Sequence, residues 1–435
     1  MKRFKTILVL SIIVSFSLLC TSAFAAPQSN PNGPWVEDNQ NVSLSSVMTN
    51  AELYKTLEKL EAVSKGKMEL ELVGYSDALN DDLMEELGYP LYLCKLGNPD
   101  ADKKMLITTQ IHGNEVIGTE AIVELMQKFA SGDKEANEIL DNVCIWIMPR
   151  INPDGAMYQR DGQWYPVRQC LQAWDPESIG LSEDTKAPWY YNSNVPGYDE
   201  NRDYNPNLDF RIDDFDSDEV ENFLNDTSHW YTDSDGQRQR YVGQNSDING
   251  GFYVTPEARI VTSVFQRLDP DVYIDVHHRG FNTVSDEDNR SVSIQVAAVV
   301  ADPYIDPWTG DPYEVDAEVL KLGKQINALG WLSLQRGFSS FGAIQKYPDV
   351  NLPGTSLGAF ALNDTAIMLI EIKGQTQNLG QKQNGMLKQT VSTPIYEILK
   401  ALSDGSIHDV DESIYNDIPE SDNRISDPTT RDDIL

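Results

Sequence analysis

The chain has 435 residues, and its 68 Asp and Glu outnumber its 34 Lys and Arg, so that the formal net charge is -34. A surface this acidic repels nucleic acid and anionic lipid, and we therefore expect neither as a partner. The length would allow two domains, but one candidate site draws its residues from most of the chain. This favours a single large domain over residues 46–404.

Residues 1–25 have the pattern of a secretory signal peptide. Three cations lie within the first five positions, an apolar stretch follows from Ile7 to Leu19, and Ala23-Phe-Ala25 offers a small-residue cleavage site. The apolar stretch is too short for an ordinary membrane span. We expect cleavage near Ala25, a secreted or periplasmic protein without a membrane span, and a polar linker at residues 26–45.

Three cysteines lie beyond that cleavage site: Cys94, Cys144 and Cys170. An odd number of cysteines in an exported protein leaves at least one thiol unpaired. Cys94 and Cys144 lie in apolar strand patterns, and we expect both to be buried as small hydrophobic residues. The pairing of the three thiols stays open at this point.

A candidate metal-binding segment, His112-Gly-Asn-Glu115, lies where a predicted strand ends and a predicted helix begins. The apolar run Met105–Thr108 before it predicts a buried strand, and apolar residues at helical spacing follow it. Open α/β sheets place ligand sites at the carboxyl ends of strands. A His nitrogen and a carboxylate oxygen can take two corners of a catalytic zinc, which leaves one for a third protein ligand and one for water.

Further polar segments follow apolar runs in chain order. They are Asn152-Pro-Asp-Gly155, Asp199-Glu-Asn201-Arg202-Asp203, the strand pattern Val272-Tyr-Ile-Asp-Val-His277, and the strand pattern Ile367-Met-Leu-Ile-Glu371-Ile372. A carboxylate inside an apolar strand, as at Glu371, is unfavourable unless it is paired or works at a site. His278 competes with His277 as a ligand, but strand alternation points the two side chains in roughly opposite directions.

Two long stretches, residues 157–196 and 207–251, are expected to form loops that rim the site. In the second, Asp214, Asp216 and Asp218 alternate in a way that suits Ca²⁺. The loop glycine and terminal Glu of an EF-hand are missing, so a solvated acidic loop is favoured there and also at Asp233-Ser-Asp235-Gly236.

The C-terminal part of the chain predicts one more helix and then a tail. Thr393-Pro394 is typical of a helix start, apolar residues follow on one face, and Gly405 is typical of a helix end. Residues 405–435 are acidic and poor in apolar residues, which predicts a disordered tail.

In the order of these motifs, the chain resembles the zinc metallocarboxypeptidases, the family of pancreatic carboxypeptidases A and B. That family also has HxxE, NPDG, NR, a strand-end His and a strand-borne Glu, and the resemblance runs from about Leu53 to Leu402. It implies an α/β fold with a mixed, largely parallel central sheet flanked by helices. It also implies a single catalytic domain with one catalytic zinc.

The resemblance implies roles for individual residues. The zinc ligands would be His112, Glu115 and His277, the last chosen over His278 by the family pattern of Asp, an apolar residue and His at a strand end. Asp199 would accept a hydrogen bond from the far nitrogen of His112, and Glu371 would be the general base. The remaining pair, Asn201 and Arg202, would bind the terminal carboxylate of the substrate.

Other family positions match less well. An oxyanion-stabilising Arg would be Arg168, with Arg160 as a competitor, and a mobile Tyr would be Tyr347, although its spacing is longer than the family's. Leu357, followed by Gly358, falls where the family sets side-chain preference. No acid is visible there, which favours neutral or apolar terminal residues, although acids from Asp286 to Asp288 could reach the pocket from another loop.

The implied function is that of an exported, zinc-dependent carboxypeptidase acting on peptides with a free C-terminus. A cell-wall peptide trimmer or an amidohydrolase of acylated amino acids could use the same site, because both substrates end in a carboxylate. A non-catalytic binding module is a third alternative, which the complete set of ligands and Glu371 disfavours. Residues 26–45 are too few and too polar for an inhibitory pro-domain, so we expect activity without further proteolysis.

Overall fold

The computed structural model describes residues 47–76, 88–160, 162–193, 195, 197–226, 243–279, 284, 292–335, 343–373 and 381–420. Several predictions concern residues outside these ranges: the signal peptide at 1–25, the linker at 26–45, the segment at 233–236, the acids at 286–288 and the last part of the tail at 421–435. Among the described residues, no helix is both long enough and apolar enough to cross a membrane.

The strands alternate with helices along the chain and most belong to one sheet. In chain order they are β1 (Met68–Tyr75), β2 (Pro90–Gly97), β3 (Lys104–Thr109), β4 (Cys144–Met148), β5 (Gln159–Arg160), β6 (Gln163–Trp164), β7 (Tyr191–Asn192), β8 (Gly197–Tyr198), β9 (Val272–Arg279), β10 (Ile294–Ala297), β11 (Tyr304–Ile305), β12 (Pro312–Tyr313), β13 (Ile344–Lys346) and β14 (Ala366–Lys373). The β5–β6, β7–β8 and β11–β12 pairs are small separate ladders.

The central sheet has eight strands in the spatial order β1-β2-β4-β3-β9-β14-β10-β13. Its core is parallel, because β4, β3, β9 and β14 run in the same direction. The edges are mixed, because β2 runs antiparallel to β4 and β10 runs antiparallel to β14. The predicted fold class, a mixed and largely parallel sheet flanked by helices, is confirmed.

Helices cover both faces of this sheet. They are α1 (Asn50–Val63), α2 (Ile117–Ser131), α3 (Lys134–Asn142), α4 (Pro153–Met157), α5 (Ser217–Asn225), α6 (Pro256–Leu268), α7 (Ala317–Gln335), α8 (Ser356–Ala361) and α9 (Gln381–Asp404), with short 3-10 turns at Glu177–Ile179, Glu200–Arg202, Ile212–Asp214, Ser406–Asp409 and Glu412–Asp417. Local sequence explains several helix starts. Thr49 and Glu52 form a reciprocal capping box at α1, and Thr255 caps α6 with Pro256 in its first turn.

Two apolar clusters, one on each face, hold the helices to the sheet. The first joins α1, α2, α3, α7 and α9 through residues such as Leu57, Ile122 and Leu399. The second is rich in aromatic residues and includes Phe210 and Phe223 from the second long stretch. This stretch, 207–251, is therefore partly built into the core. Within it, Asp216 caps α5 by accepting a hydrogen bond from the Asp218 amide.

The predicted start of the last helix at Thr393-Pro394 is wrong, because α9 begins at Gln381 and carries Pro394 in its interior. A proline inside a helix removes one backbone hydrogen bond. Leu387 and Val391 before it are as deeply buried as Ile395 after it. Their shared apolar stripe on the core outweighs the lost hydrogen bond and keeps the helix continuous.

The prediction of a disordered tail from residue 405 is wrong for residues 405–420. Two 3-10 turns follow α9, and Ile407 and Ile418 are buried in the first apolar cluster. The Ala298 amide donates to the Tyr415 hydroxyl, and the Lys346 amide donates to the Pro419 carbonyl. The segment has few apolar residues, but their spacing brings them to the core, which overall composition does not reveal.

Candidate metal centre

The polar motifs meet at one edge of the sheet because the strands that carry them are parallel neighbours. His112 follows β3, the Asn152–Gly155 turn follows β4, and His277 and Glu371 lie near the ends of β9 and β14, where they are register partners. Gly113 lets two of these segments touch: a Cβ at this position would lie 2.3 Å from the carbonyl carbon of Gly155. Sequence motifs far apart in the chain thus form one cluster.

His112, Glu115 and His277 form the metal-ligand group of the described residues. One ligand atom from each lies within 4.8 Å of the others, and all three side chains are buried. The Nδ1 atom of His112 is 2.8 Å from Glu115 Oε1, the Nδ1 atom of His277 is 3.0 Å from Glu115 Oε2, and the two Nδ1 atoms are 3.2 Å apart.

The outer nitrogens of both histidines face carboxylates. His112 Nε2 is 3.1 Å from Asp199 Oδ1, and His277 Nε2 is 2.6 Å from Asp275 Oδ2. An ionised carboxylate can only accept hydrogen bonds, so each Nε2 carries the hydrogen. In neutral imidazoles, both Nδ1 atoms then present lone pairs to each other and to Glu115. Such a converging set of acceptors needs a cation, and its nitrogen and oxygen donors suit zinc.

The electrostatics of the cluster favour positive charge. Burial alone would lower the pKa of His277, but Asp275 and Glu115 outweigh it and raise this pKa well above its usual value. Burial alone would raise the pKa of Glu115, but His112 and His277 hold it well below its usual value. The acids that favour a proton on His277 favour a metal ion in its place, so metal binding is expected to release a proton.

The carboxylate of Glu371 differs from that of Glu115 in the direction in which its pKa is shifted. Burial raises its pKa, and the nearby charge of His277 opposes this only in part. Its Oε2 atom is buried and has no hydrogen-bond partner among the described residues. A buried carboxylate with a raised pKa and a free oxygen beside a metal-ligand group can accept and return a proton.

Arg168, and not Arg160, lies at this centre. Its Nε and Nη2 atoms each lie 2.9 Å from Asp199 Oδ2, and its Nη1 atom is 3.1 Å from His112 Nδ1. Arg160 lies instead on the β5–β6 hairpin, where its guanidinium is 5.4 Å from the centre of the Tyr165 ring. Arg168 is therefore the arginine placed to meet negative charge that develops near the metal ligands.

Asn201 and Arg202 form part of a 3-10 turn beside the histidines. Asn201 Nδ2 is 3.3 Å from His277 Nε2, and Asn201 Oδ1 accepts from the Ser356 amide at 3.0 Å. Arg202 donates from Nε to Asp247 Oδ1 at 3.1 Å and from Nη1 to the Asn201 carbonyl at 2.6 Å. The pair lies next to the ligand group and presents amide and guanidinium donors.

Tyr347 and Leu357, the last two predicted binding residues, differ in burial. Tyr347 follows β13 and is half-buried, with its ring 5.7 Å from the guanidinium carbon of Arg279. Leu357 is 2% exposed and packs in the second apolar cluster. Its neighbour Ser356 contacts Asn201 and, at 3.1 Å, Asp275. Ser356 is thus the residue of this segment that reaches the centre.

His278 is buried but turns away from the ligand group. Its Nε2 atom accepts a hydrogen bond from the Ile117 amide at the start of α2, at 3.0 Å, and its backbone amide donates to Glu115 Oε2 at 2.9 Å. Burial lowers the pKa of its ring to about 4. The His278 ring therefore caps α2. Side-chain alternation along β9 predicts that this ring points away from His277, but not that it contacts α2.

Sequence reasoning gave no role to three residues that support the centre. Asp275 lies two positions before His277 on the same strand, so its side chain faces the same way, and this spacing is a signal that could have found it. Gln110 has a φ of 57° and holds the loop through Gly113, because its Nε2 donates to the Gly113 carbonyl at 2.7 Å. Neither Gln110 nor Ser356 carries a comparable sequence signal.

Comparison with known proteins agrees with this geometry. A sequence profile described as zinc carboxypeptidase matches residues 86–283. This part of the chain is therefore similar to the zinc carboxypeptidase family. The chain is 38% identical to carboxypeptidase B of Astacus astacus over 72 residues, 16% of this chain and 24% of that protein. It is 28% identical to a zinc carboxypeptidase of Saccharothrix mutabilis subsp. capreolus over 112 residues, 24% of this chain and 25% of that protein.

Solved structures share the fold. The crystal structure of thrombin activatable fibrinolysis inhibitor superimposes with a TM-score of 0.52 at 14% identity, covering 88% of this chain and 83% of that one. Carboxypeptidase A of Helicoverpa armigera gives a TM-score of 0.50 at 15% identity, with 92% and 82% covered. The alignments with the two curated relatives span about a quarter of their length. Glu371 lies beyond the residues that the family profile matches.

Proposed function

We propose that the chain is an exported zinc-dependent carboxypeptidase that removes one residue from the C-terminus of peptides. The observation that carries the proposal is the convergence of His112, Glu115 and His277 beside the buried carboxylate of Glu371. A set of two His and one Glu with a remaining corner for water has the composition of catalytic zinc sites. Zinc bound there would lower the pKa of a water molecule and polarise the substrate carbonyl.

Glu371 would serve as the general base and then the general acid. Its raised pKa brings it closer to neutral pH, where a residue can both take a proton from the attacking water and return it to the leaving amine. Its buried Oε2 atom is available for this proton. Arg168 would donate hydrogen bonds to the oxyanion, because its Nη1 atom already points to the ligand group while Asp199 holds its other side.

Arg202 and Asn201 would bind the terminal carboxylate of the substrate and so make the enzyme an exopeptidase. The planar guanidinium of Arg matches a carboxylate with two parallel hydrogen bonds. Tyr347 and Leu357 stay proposals for substrate contact, with Ser356 added beside them. A cell-wall peptide trimmer and an amidohydrolase of acylated amino acids would use the same groups, so their substrates belong in the same assay.

The metal is tested by comparing two adjacent histidines. Purified protein should contain one zinc, lose its peptidase activity with a chelator and regain it with zinc. His277→Ala should lose the metal, because it removes one of three ligands, whereas His278→Ala should keep it. The measurements are metal content by elemental analysis and turnover of a free-acid peptide. Metal retained in His277→Ala and lost in His278→Ala would contradict the ligand assignment.

A further inference from the structure

Arg202 is held by contacts that use only part of its hydrogen-bonding capacity. Its Nε atom donates to Asp247 Oδ1 at 3.1 Å, and its Nη1 atom donates to the Asn201 carbonyl at 2.6 Å. A guanidinium has five N–H groups. Among the contacts of the described residues, these two leave one hydrogen on Nη1 and two on Nη2. Both terminal nitrogens can therefore still donate to a carboxylate.

Asp247 is itself fixed by its surroundings. The same oxygen, Oδ1, accepts from the indole nitrogen of Trp189 at 3.1 Å. Trp189 donates its backbone amide to Asn245 Oδ1 at 3.1 Å, and Asn245 is buried. The Trp189 ring packs edge-on against Tyr190 and Phe252, with centroids 5.0 Å and 6.1 Å away. Asp247 therefore presents its oxygen to Arg202 from an anchored segment.

Trp189 and Asp247 come from the two long stretches that are expected to rim the site. Trp189 lies in residues 157–196 and Asp247 in residues 207–251. We propose that Asp247, held by Trp189, is a positioning residue that orients Arg202 for the terminal carboxylate of the substrate. The proposal rests on the proposed function and deepens it. Trp189 and Asp247 would thus contribute to recognition of the chain terminus through Arg202, without contacting the substrate themselves.

The guanidinium nitrogen that Asp247 contacts indicates whether Asp247 positions Arg202 or blocks it. An acid that blocked the site would bind Nη1 and Nη2 of Arg202, whereas Asp247 binds Nε. Arg202 and Asp247 keep 18% and 30% of their side-chain surface exposed, so Coulomb attraction between them is screened by solvent. The main effect is then to hold a long side chain in one orientation before substrate arrives, which improves binding more than the chemical step.

The test uses two substitutions of Asp247 and a matched control. Asp247→Ala removes the acceptor and should raise KM for a free-acid peptide by about tenfold, with kcat nearly unchanged. Asp247→Asn keeps an oxygen that accepts from Arg202 and Trp189, and its KM should stay within about fivefold of wild type. The exposed Asp213→Asn removes the same charge and should leave KM unchanged. Metal content and thermal unfolding show whether each variant is folded.

A double-mutant cycle distinguishes positioning from a general structural effect. In the Arg202→Ala background, adding Asp247→Ala should raise KM no further, because the group being oriented is gone. A lower KM in Asp247→Ala would mean that Asp247 competes with the substrate. The proposal would also be overturned if Asp247→Ala had the same KM as Asp213→Asn, or if Asp247→Ala and Asp247→Asn raised KM equally. If Arg202→Ala cleaves normally, or wild type does not cleave free-acid peptides, the proposed function fails as well.

Discussion

Residues of the same type at the centre differ in pKa because their surroundings differ. Glu115 and Glu371 are both buried carboxylates, yet two imidazoles hold the pKa of the first well below its usual value, whereas burial raises that of the second. The first is therefore suited to bind a cation and the second to transfer a proton. Sequence alone can place both at strand ends but cannot assign these opposite shifts, because they depend on neighbours from other strands.

The general-base role of Glu371 is tested by an isosteric change. Glu371→Gln keeps the size of the side chain but cannot accept the proton, so turnover should fall by about 100-fold or more. Metal content should stay at the wild-type level, because Glu371 is not a ligand. The measurement is kcat on a free-acid peptide beside elemental analysis of the same sample. Near-normal turnover in metal-loaded Glu371→Gln would contradict the role.

The buried carboxyl group of Glu200 leads to a prediction of how the free energy of unfolding depends on pH. Burial raises its pKa from 4.5 to about 8, despite hydrogen bonds from Tyr204 and Cys170. The folded protein therefore keeps a proton that the unfolded chain releases above about pH 4.5. The stability from this group is complete below that pH and is lost as the pH rises through 8.

Glu200→Gln imitates the protonated form and should flatten this dependence. Urea unfolding at pH 6 and pH 8 measures it: wild type should lose more free energy of unfolding between the two values than the variant does. Exposed Glu219→Gln is the control and should behave as wild type. An equal loss in wild type and Glu200→Gln would show that Glu200 is ionised in the folded protein.

At the scale of elements, sequence patterns predicted the parallel strands and failed at the C-terminus. Strands β3, β9 and β14 are mostly apolar along their first residues and are buried on both faces, which is the pattern of strands inside a parallel sheet. The end of the chain gave two wrong predictions, because Pro394 and the acidic composition after residue 405 are local signals that packing overrides. Ile407 and Ile418 contribute to the core from a segment whose average composition is that of a tail.

The packing of this segment predicts a measurable stability difference between two isoleucines. Ile418 is 1% exposed, and Ile418→Ala should reduce the free energy of unfolding by about 2–5 kcal/mol. Ile305 is 69% exposed, and the matched Ile305→Ala should change it by less than about 0.5 kcal/mol. Chemical denaturation measures both. Equal, small effects would mean that residues 405–420 do not hold to the core in solution.

At the scale of the whole molecule, one sheet edge collects residues from His112 to Glu371. The motif order predicted the fold and the resemblance to zinc carboxypeptidases. It also predicted that His112, Glu115 and His277 lie together, because parallel neighbours bring strand ends together. It did not predict the roles of Asp275, Ser356 or Asp247. Asp275 faces the ligand group because of the pleating of β9, Ser356 lies at the start of α8, and Asp247 contacts Arg202 from a long stretch. These positions depend on tertiary packing. The long stretches thus add contacts to a shared framework.

The central claim is that this framework removes single residues from free peptide C-termini. Its most direct test is a pair of peptides of identical sequence, one a free acid and the other a C-terminal amide, with products identified by mass. Because amidation leaves the half-buried donors of Arg202 without their carboxylate, the free acid should be cleaved at least about 100-fold faster and lose one terminal residue. Equal rates, or cleavage at internal bonds, would contradict the account.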